Sequence, residues 1–378
     1  MEKLNLIIGS MLHDIGKVIY RGSTDGRNHS ISGYEFLKES FGNIDTEILH
    51  CVRYHHASEI KNIKLQKDDL AYITYIADNI ASFIDRRKND ESKIGFVKNK
   101  SFQSVFNILN GNNSKLNLSP CVLDSESNIN YPMEITNNFN EDFYNKIKSD
   151  IKEYLENFES NINYVNSLLS MLEGYLSYIP SSTSNSEYCD ISLFDHLKIT
   201  TAIACCLYDY LKENNISDYS SLYNDCESYY DKKFMLLYSL DVSGIQKFIY
   251  TISSSAALKG LRSRSFYLDM LLENSIDCLL ENLELSRNNL LYLGGGHCYL
   301  ILPNTATVKE KISEFETDMN NWFLAKYKTA LYVATGYTAC SPNNLRNKPS
   351  GSYSALFSNI TKQISQKKIS TSCQLMIF

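Results

Sequence analysis

The sequence predicts a multidomain α+β chain: an all-α domain over residues 1–90, a helical connector over 91–188, and a domain over 189–378 in which an antiparallel-containing sheet carries helices. Three observations predict it. Apolar residues recur at helical spacing from the N-terminus to about Arg87, with no alternating strand pattern. The middle of the chain is rich in Asn, Ser and Lys. In the last third, two apolar runs joined by glycines read as a hairpin.

In the first domain Leu4, Ile7, Ile8, Met11, Leu12, Ile15, Val18 and Ile19 form one wide apolar helical face. Ser32-x-x-Glu35 fits a capping box, so a second helix is expected to start at Ser32. Glu47 to His56 and Leu70 to Ile84 read as further amphipathic helices. The connector carries polar stretches such as NGNNSKLNLS and SSTSNSE between helix-like pieces, Asp142 to Phe158 and Ile162 to Ile179. At Ser192 the texture changes, because Ser192-x-x-Asp195 caps an apolar helix running through ITTAIACCLYDYL. A buried strand over FMLLYSLDVSG follows, then helical segments from Ile245 and over Tyr267 to Leu283. The hairpin joins Leu290–Leu293 to Cys298–Leu302, and helix Val308 to Tyr327 precedes strand Ala330 to Thr335. The order α, β, α, β-hairpin, α, β is that of a ferredoxin-like palm.

Composition narrows the function classes. With 37 Lys+Arg against 43 Asp+Glu the chain carries a formal charge of -6, which argues against a generic basic nucleic-acid coat. Mean hydropathy is -0.27 and no apolar run approaches the roughly 18 residues of a membrane span. MEKLNLIIGSMLHD lacks the basic start and small-residue cleavage site of a signal peptide, so a cytoplasmic protein with no membrane partner is expected. The ten cysteines include no C-x-x-C pair and read as small buried hydrophobes.

Chemistry-bearing residues concentrate in the first domain: His13-Asp14, His29, His55-His56 and Asp78. Imidazoles and carboxylates converging from several helices suit divalent ions such as Mn, Ni, Co or Fe, which accept mixed nitrogen and oxygen shells. Such an ion polarises a phosphodiester and makes hydroxide available near neutral pH. If the helix through Glu47 runs to His56, His55 shares a line with Ile48 and Val52, and His56 with Leu49 and Val52, so both imidazoles face the buried side. Asp14 falls at the edge of the first helix's apolar face and His13 opposite it, where a surface histidine would look the same.

The strings MLHDIGKVIYR, HSISGYEFL, YHHAS and YIADNIASFIDRR, in this order, resemble the permuted HD phosphohydrolase domain that opens the large subunit of type III-A CRISPR effector (Csm) complexes. The resemblance implies a metal-dependent single-strand DNase of antiviral defence. It makes His13 and Asp14 the defining dyad, His29, His55, His56 and Asp78 further ligands, and Lys17 a phosphate contact.

A second cluster lies in DVSGIQKFIYTISSSAALKGLRSRSFYLDMLLE. Asp241 closes a buried strand, Ser243-Gly244 opens a turn with free backbone N–H groups, and Lys247, Lys259, Arg262 and Arg264 gather positive charge, a natural setting for a triphosphate. A solvated basic helix face is the plainer alternative. This segment, SLFDHLKITTAIACCLYDYL and LYLGGGHCYLILPNT resemble the first palm of the same large subunit. There the hairpin tip reads Gly294-Gly295-Gly296-His297-Cys298 and lacks the carboxylates that hold catalytic metals. In that family the first palm binds one ATP, with Mg, against a second palm whose Gly-Gly-Asp-Asp hairpin makes cyclic oligoadenylate. The resemblance therefore implies nucleotide contact, not catalysis, by Asp241, Ser243, Gly244, Gly294, Gly295, Gly296 and His297.

No Gly-Gly-Asp-Asp, zinc-binding cysteine module or further helical domain follows, so the chain reads as about half of what the family has, a truncated or split piece not expected to make cyclic oligoadenylate alone. The implied partners are the subunit that caps the guide RNA 5′ end, the small subunit, guide RNA and target RNA through the complex, single-stranded DNA and ATP. Asp195-His196 is a second Asp/His pair; Asp195 belongs to the capping box, and the pair is read as structural. Two other function classes stand beside the nuclease: a non-catalytic scaffold or nucleotide-binding subunit, and an HD phosphohydrolase of nucleotides.

Overall fold

A computed structural model of the chain describes residues 1–23, 26–41, 43–85, 87–88, 95–124, 129–134, 139–251 and 257–375. It divides into two compact units. The first comprises Met1–Tyr208 with Ile216–Cys226, and the second Asp209–Asn215 with Glu227–Phe378. The expected boundary at residue 90 lies outside the described residues. The helix expected to open the second domain belongs to the first unit as far as Tyr208.

The first unit opens with helices α1 (Glu2–Leu12), α2 (Gly16–Arg21), α3 (His29–Ser40), α4 (Thr46–Arg53), α5 (Ala57–Ile60) and α6 (Ala71–Asp85). Leu6, Ile8, Met11, Leu12, Ile15 and Val18 are buried, as are Ile48 and Val52 of α4 and Ile73, Ile76 and Ile80 of α6, the helices on which α1 packs. Helix α3 starts three residues before the expected Ser32. Asn28 is its cap, accepting from the Ile31 N–H at 3.0 Å, while Ser32 Oγ donates to Asn28 O inside the first turn. Helix α4, capped by Asp45, stops at Arg53 and does not reach His56. Helix α1 likewise stops at Leu12, and His13 lies at its C-terminal end.

The middle of this unit holds more than helices. A short antiparallel ribbon pairs β1 (Phe102–Gln103) with β2 (Asn117–Leu118), which polar loop composition did not reveal. Helices α7 (Glu141–Glu156) and α8 (Val165–Leu176) follow, the latter preceded by one 3₁₀ turn at Ile162–Tyr164. Helix α9 (Leu193–Glu213) is capped as its sequence demands: Ser192 Oγ accepts from the Asp195 N–H at 2.9 Å. Two short helices, α10 (Ser221–Asn224) and α11 (Cys226–Tyr229), lead to the second unit.

The second unit is built on a four-stranded antiparallel sheet of β3 (Met235–Ser243), β4 (Leu290–Gly294), β5 (His297–Pro303) and β6 (Tyr332–Cys340) in the order β4-β5-β3-β6. With α12 (Ile245–Tyr250), α13 (Ala257–Asn282) and α14 (Ala306–Tyr327) in the crossovers, this is the ferredoxin-like arrangement. Helix α13 begins ten residues before the expected Tyr267, and β6 runs on to Cys340. Helices α15 (Pro342–Leu345) and α16 (Ser352–Leu375) follow. Gly244, at φ 91°, makes the turn from β3 to α12, and an added Cβ there would lie 1.9 Å from Ala330 O. Six cysteines are buried, including Cys205 and Cys206, but Cys278 is exposed; the Cys373 side chain lies outside the described residues.

Candidate metal centre

The first unit gathers seven donors at one place. His13, Asp14, Asp78 and His196 form one group and His29, His55 and His56 another, the ligand atoms of each lying within 4.8 Å of one another. The route from sequence to site is local. His13 keeps helical dihedrals (φ -54°, ψ -37°) as the residue that closes α1, and it is fully buried because α1 is covered on that side too, where Leu6 and Ser10 are also fully buried. Gly16 allows the next approach: a Cβ there would lie 1.8 Å from His29 O, so only glycine lets α2 meet the start of α3. His55 and His56 sit just beyond α4, not on it, yet His55 is as buried as helical spacing suggested.

Asp14 is the hub. Its Oδ1 lies 3.3 Å from His29 Nε2 and 3.6 Å from His55 Nε2. Its Oδ2 faces His13 Nε2 at 3.5 Å, His196 Nε2 at 3.3 Å, and the Lys17 ammonium. Asp78 Oδ1 lies 3.1 Å from His196 Nε2 and 3.7 Å from His13 Nε2, and its Oδ2 is 3.9 Å from His56 Nδ1. Within the second group, His29 and His56 bring their Nε2 atoms to 2.7 Å.

The protonation states suit a cation. His13 Nδ1–H donates to Ser10 O at 2.8 Å and His55 Nδ1–H to Val52 O at 2.7 Å. Since a carbonyl only accepts, each ring when neutral turns a bare Nε2 lone pair toward the cluster. Among the described residues those two Nε2 atoms and Asp14 Oδ1 are buried without a hydrogen-bond partner. Burial lowers the pKa of His13 and His29, and burial together with neighbouring His55 takes His56 down to about 2. Burial would push the Asp14 carboxyl up, but the Lys17 ammonium and His13 hold it well below its usual range. Asp78 follows the same balance, with His13 and His196 overcoming burial. Buried imidazoles beside carboxylates held in the ionised form make the donor set of a mixed nitrogen and oxygen metal site.

His196 is the residue the sequence reading set aside. Asp195 does belong to the cap and is exposed, but His196 lies on the buried face of α9 with Leu193, Thr200 and Ile203 and is 1% exposed. That face was the available signal: an imidazole on an apolar stripe must find partners inside.

In the second unit, Asp241 and His297 are cross-strand partners, with Asp241 Oδ2 3.4 Å from His297 Nδ1, and the Val242 N–H donates to Gly296 O at 2.8 Å. The β4–β5 turn, Gly294–Gly296, therefore closes over the end of β3, near Ser243 and Gly244. Lys368 of α16, which no sequence pattern marked, reaches Asp241 Oδ1 at 2.5 Å. Lys247, Lys259 and Arg262 are exposed on α12 and α13. Arg264 is engaged elsewhere, donating from Nη1 to Phe248 O at 2.5 Å and Thr251 O at 2.8 Å to hold the end of α12.

A bundle with an interior His/Asp cluster, joined to a ferredoxin-like sheet, defines a class that comparison with known proteins makes specific. Residues 1–82 match the HD domain family and residues 234–373 the Csm1 subunit domain B family. Over nearly its whole length the chain is similar to type III-A Cas10/Csm1 proteins. It is 42% identical, over 97% of its length, to the protein of Enterococcus italicus named CRISPR system single-strand-specific deoxyribonuclease Cas10/Csm1 (subtype III-A). It is 39% identical, over 98%, to the protein of that name from Streptococcus thermophilus. It covers 50% of each, so the chain spans about half the length of these relatives. The crystal structure of Csm1 in T. onnurineus superposes with a TM-score of 0.75 at 25% identity, covering 97% of this chain and 50% of that one. Csm1 in the Csm1–Csm4 subcomplex of the type III-A CRISPR-Csm interference complex superposes with a TM-score of 0.74 at 25% identity, covering 96% and 48%. Among the described residues, no helix is long and apolar enough to cross a membrane.

Proposed function

We propose that this chain is the nuclease-bearing part of a type III-A large subunit: a cytoplasmic, metal-dependent phosphodiesterase that cuts single-stranded DNA. The observation that carries this reading is the convergence of His13, Asp14, Asp78 and His196 with His29, His55 and His56 around Asp14, whose two oxygens face different groups. The relatives' name, single-strand-specific deoxyribonuclease, supplies the substrate class. When bound, divalent ions such as Mn, Ni, Co or Fe supply Lewis acidity that polarises the phosphodiester and brings water to nucleophilic strength near pH 7.

The chain's own residues do the rest. The Ser10 and Val52 carbonyls fix the His13 and His55 tautomers and aim the rings. Asp14, shared between the groups, and Asp78 stay ionised. Lys17, at the cavity beside the cluster, places a positive charge where a scissile phosphate would rest. The test is degradation of end-labelled single-stranded DNA with Mn or Ni by wild type and by the His13→Ala/Asp14→Ala double variant. Cutting by wild type alone supports the reading. If neither protein cuts although metal binds, the nuclease reading falls and the scaffold reading replaces it.

A second reading concerns the palm. Csm1–Csm4 structures are described in complex with AMPPNP and with one ATP. In this chain the end of the sheet where Asp241, Ser243, Gly244, Gly294–Gly296 and His297 meet is the corresponding place for a nucleotide with Mg. With no paired carboxylates at the hairpin tip, this palm binds ATP without polymerising it. A partner equivalent to Csm4, the small subunit, and guide and target RNA complete the assembly in which we place the chain.

A further inference from the structure

Beside the candidate metal centre the first unit holds a cavity of about 440 Å³ whose lining includes Lys17, His29 and His56, the wall Ser181–Thr183, and Phe96. The wall is held firmly. Arg21, 4% exposed, donates from Nη1 to Pro180 O at 2.7 Å, and the Ser181 N–H donates to Ile191 O at 2.9 Å. The backbone that carries Phe96 is tied to this wall: Phe96 bridges to Ser184, and the Val97 N–H donates to Thr183 O at 3.1 Å. Next along the chain, the Lys98 ammonium donates to Ser23 O at 2.6 Å and lies 4.2 Å over the Tyr20 ring, another lining residue. On this tethered backbone the Phe96 residue is nevertheless 77% exposed.

A large apolar ring on a fixed support, beside a mostly apolar cavity whose lining includes Lys17, suits a flat unpaired base with its phosphate toward that ammonium. We propose that Phe96 is a base-stacking platform that holds the nucleobase adjoining the phosphodiester at the metal centre, a positioning residue that selects single strands. In a duplex both faces of each base are covered by its neighbours, so only a strand free to splay its bases can use the ring. The inference rests on the nuclease reading and extends it to a residue outside the HD-matched segment, which ends at 82.

The test compares wild type, Phe96→Ala and Phe96→Trp with Mn on oligothymidylate and on a strand of abasic tetrahydrofuran residues. Stacking predicts that Phe96→Ala raises KM for oligothymidylate about tenfold with kcat retained, and that Phe96→Trp restores KM. It also predicts that wild type prefers the base-bearing strand while Phe96→Ala does not. An unchanged KM in Phe96→Ala, or an equal rise on both strands, overturns the proposal. If wild type cuts neither strand, the nuclease reading fails separately. Fluorescence anisotropy of the same strands on Mn-loaded protein then decides the stacking question: weaker oligothymidylate binding by Phe96→Ala supports it, equal binding overturns it.

Discussion

His196 Nε2 lies 3.1 Å from Asp78 Oδ1, so a histidine from α9 completes a cluster whose other members all lie within the first 78 residues. The HD-matched segment ends at residue 82 and therefore does not contain its whole donor set. Folding of the later part of the first unit is a condition for building the cluster, and residues 1–82 alone would lack one of its seven candidate donors.

His196→Ala is expected to weaken metal binding by at least about tenfold and to lower single-strand cleavage in parallel. The control is Ser192→Ala, which removes the α9 cap at a cost of about 1 kcal/mol without touching the donors. Metal content by mass spectrometry and Tm by calorimetry separate the two. A lowered Tm with full metal content in His196→Ala would show the histidine to be a packing residue.

Gly16→Ala tests whether the close approach of α2 to α3 positions His29. The new Cβ would fall 1.8 Å from His29 O and 2.7 Å from Gly33 N, both backbone atoms that cannot swing aside. Separation of the helices is expected to cost roughly 1–3 kcal/mol and to move His29 from Asp14. Urea unfolding should show a lower midpoint, and metal titration a weaker site.

In the palm, the Asp241–Lys368 pair is only partly shielded, the two side chains being 28% and 34% exposed. Burial raises the Asp241 carboxyl, and His297 with Lys368 more than offsets this, leaving its pKa below the usual range. A double-mutant cycle with Asp241→Asn and Lys368→Gln is expected to give a coupling of no more than about 1 kcal/mol. A much larger coupling would mean that the pair fastens α16 to the sheet and is not free to admit a nucleotide.

Much of this was legible in the sequence, for reasons that particular residues make clear. Periodicity located α1 and α6 because their apolar faces have one place to go, and the β4–β5 hairpin was visible because glycines interrupt two apolar runs. Helix ends were less legible, since Asn28 and Ser32 are both good caps and only tertiary contacts choose between them. Periodicity also left His13 opposite the apolar face, where a surface histidine would look the same; that side of α1 is covered as well, since Leu6 and Ser10 on it are fully buried, and a single helix's pattern does not show this. His196 was missed because one local role, capping by its neighbour Asp195, explained the dipeptide. Partners more than a hundred residues away carry no signature in a single sequence.

His50 gives a pH dependence that is separate from the candidate metal cluster. Its Nδ1 lies 2.6 Å from Asp69 Oδ2, joining α4 to the residues before α6, while Asp69 Oδ1 accepts from the Ala71 N–H at 2.9 Å. The hydrogen bond to Asp69 raises the His50 pKa, overcoming burial, with further help from the Asp69 and Glu47 charges. A pKa raised on folding means that the imidazolium is favoured in the native state. The stabilisation is therefore complete below the unfolded value of about 6.5 and disappears as pH climbs through the higher folded value. With metal removed, wild type should exceed His50→Gln in Tm by more at pH 6 than at pH 8.5, the difference between the proteins cancelling the titrations they share. A gap that stays constant or widens with pH would show that the imidazole bonds to Asp69 in its neutral form.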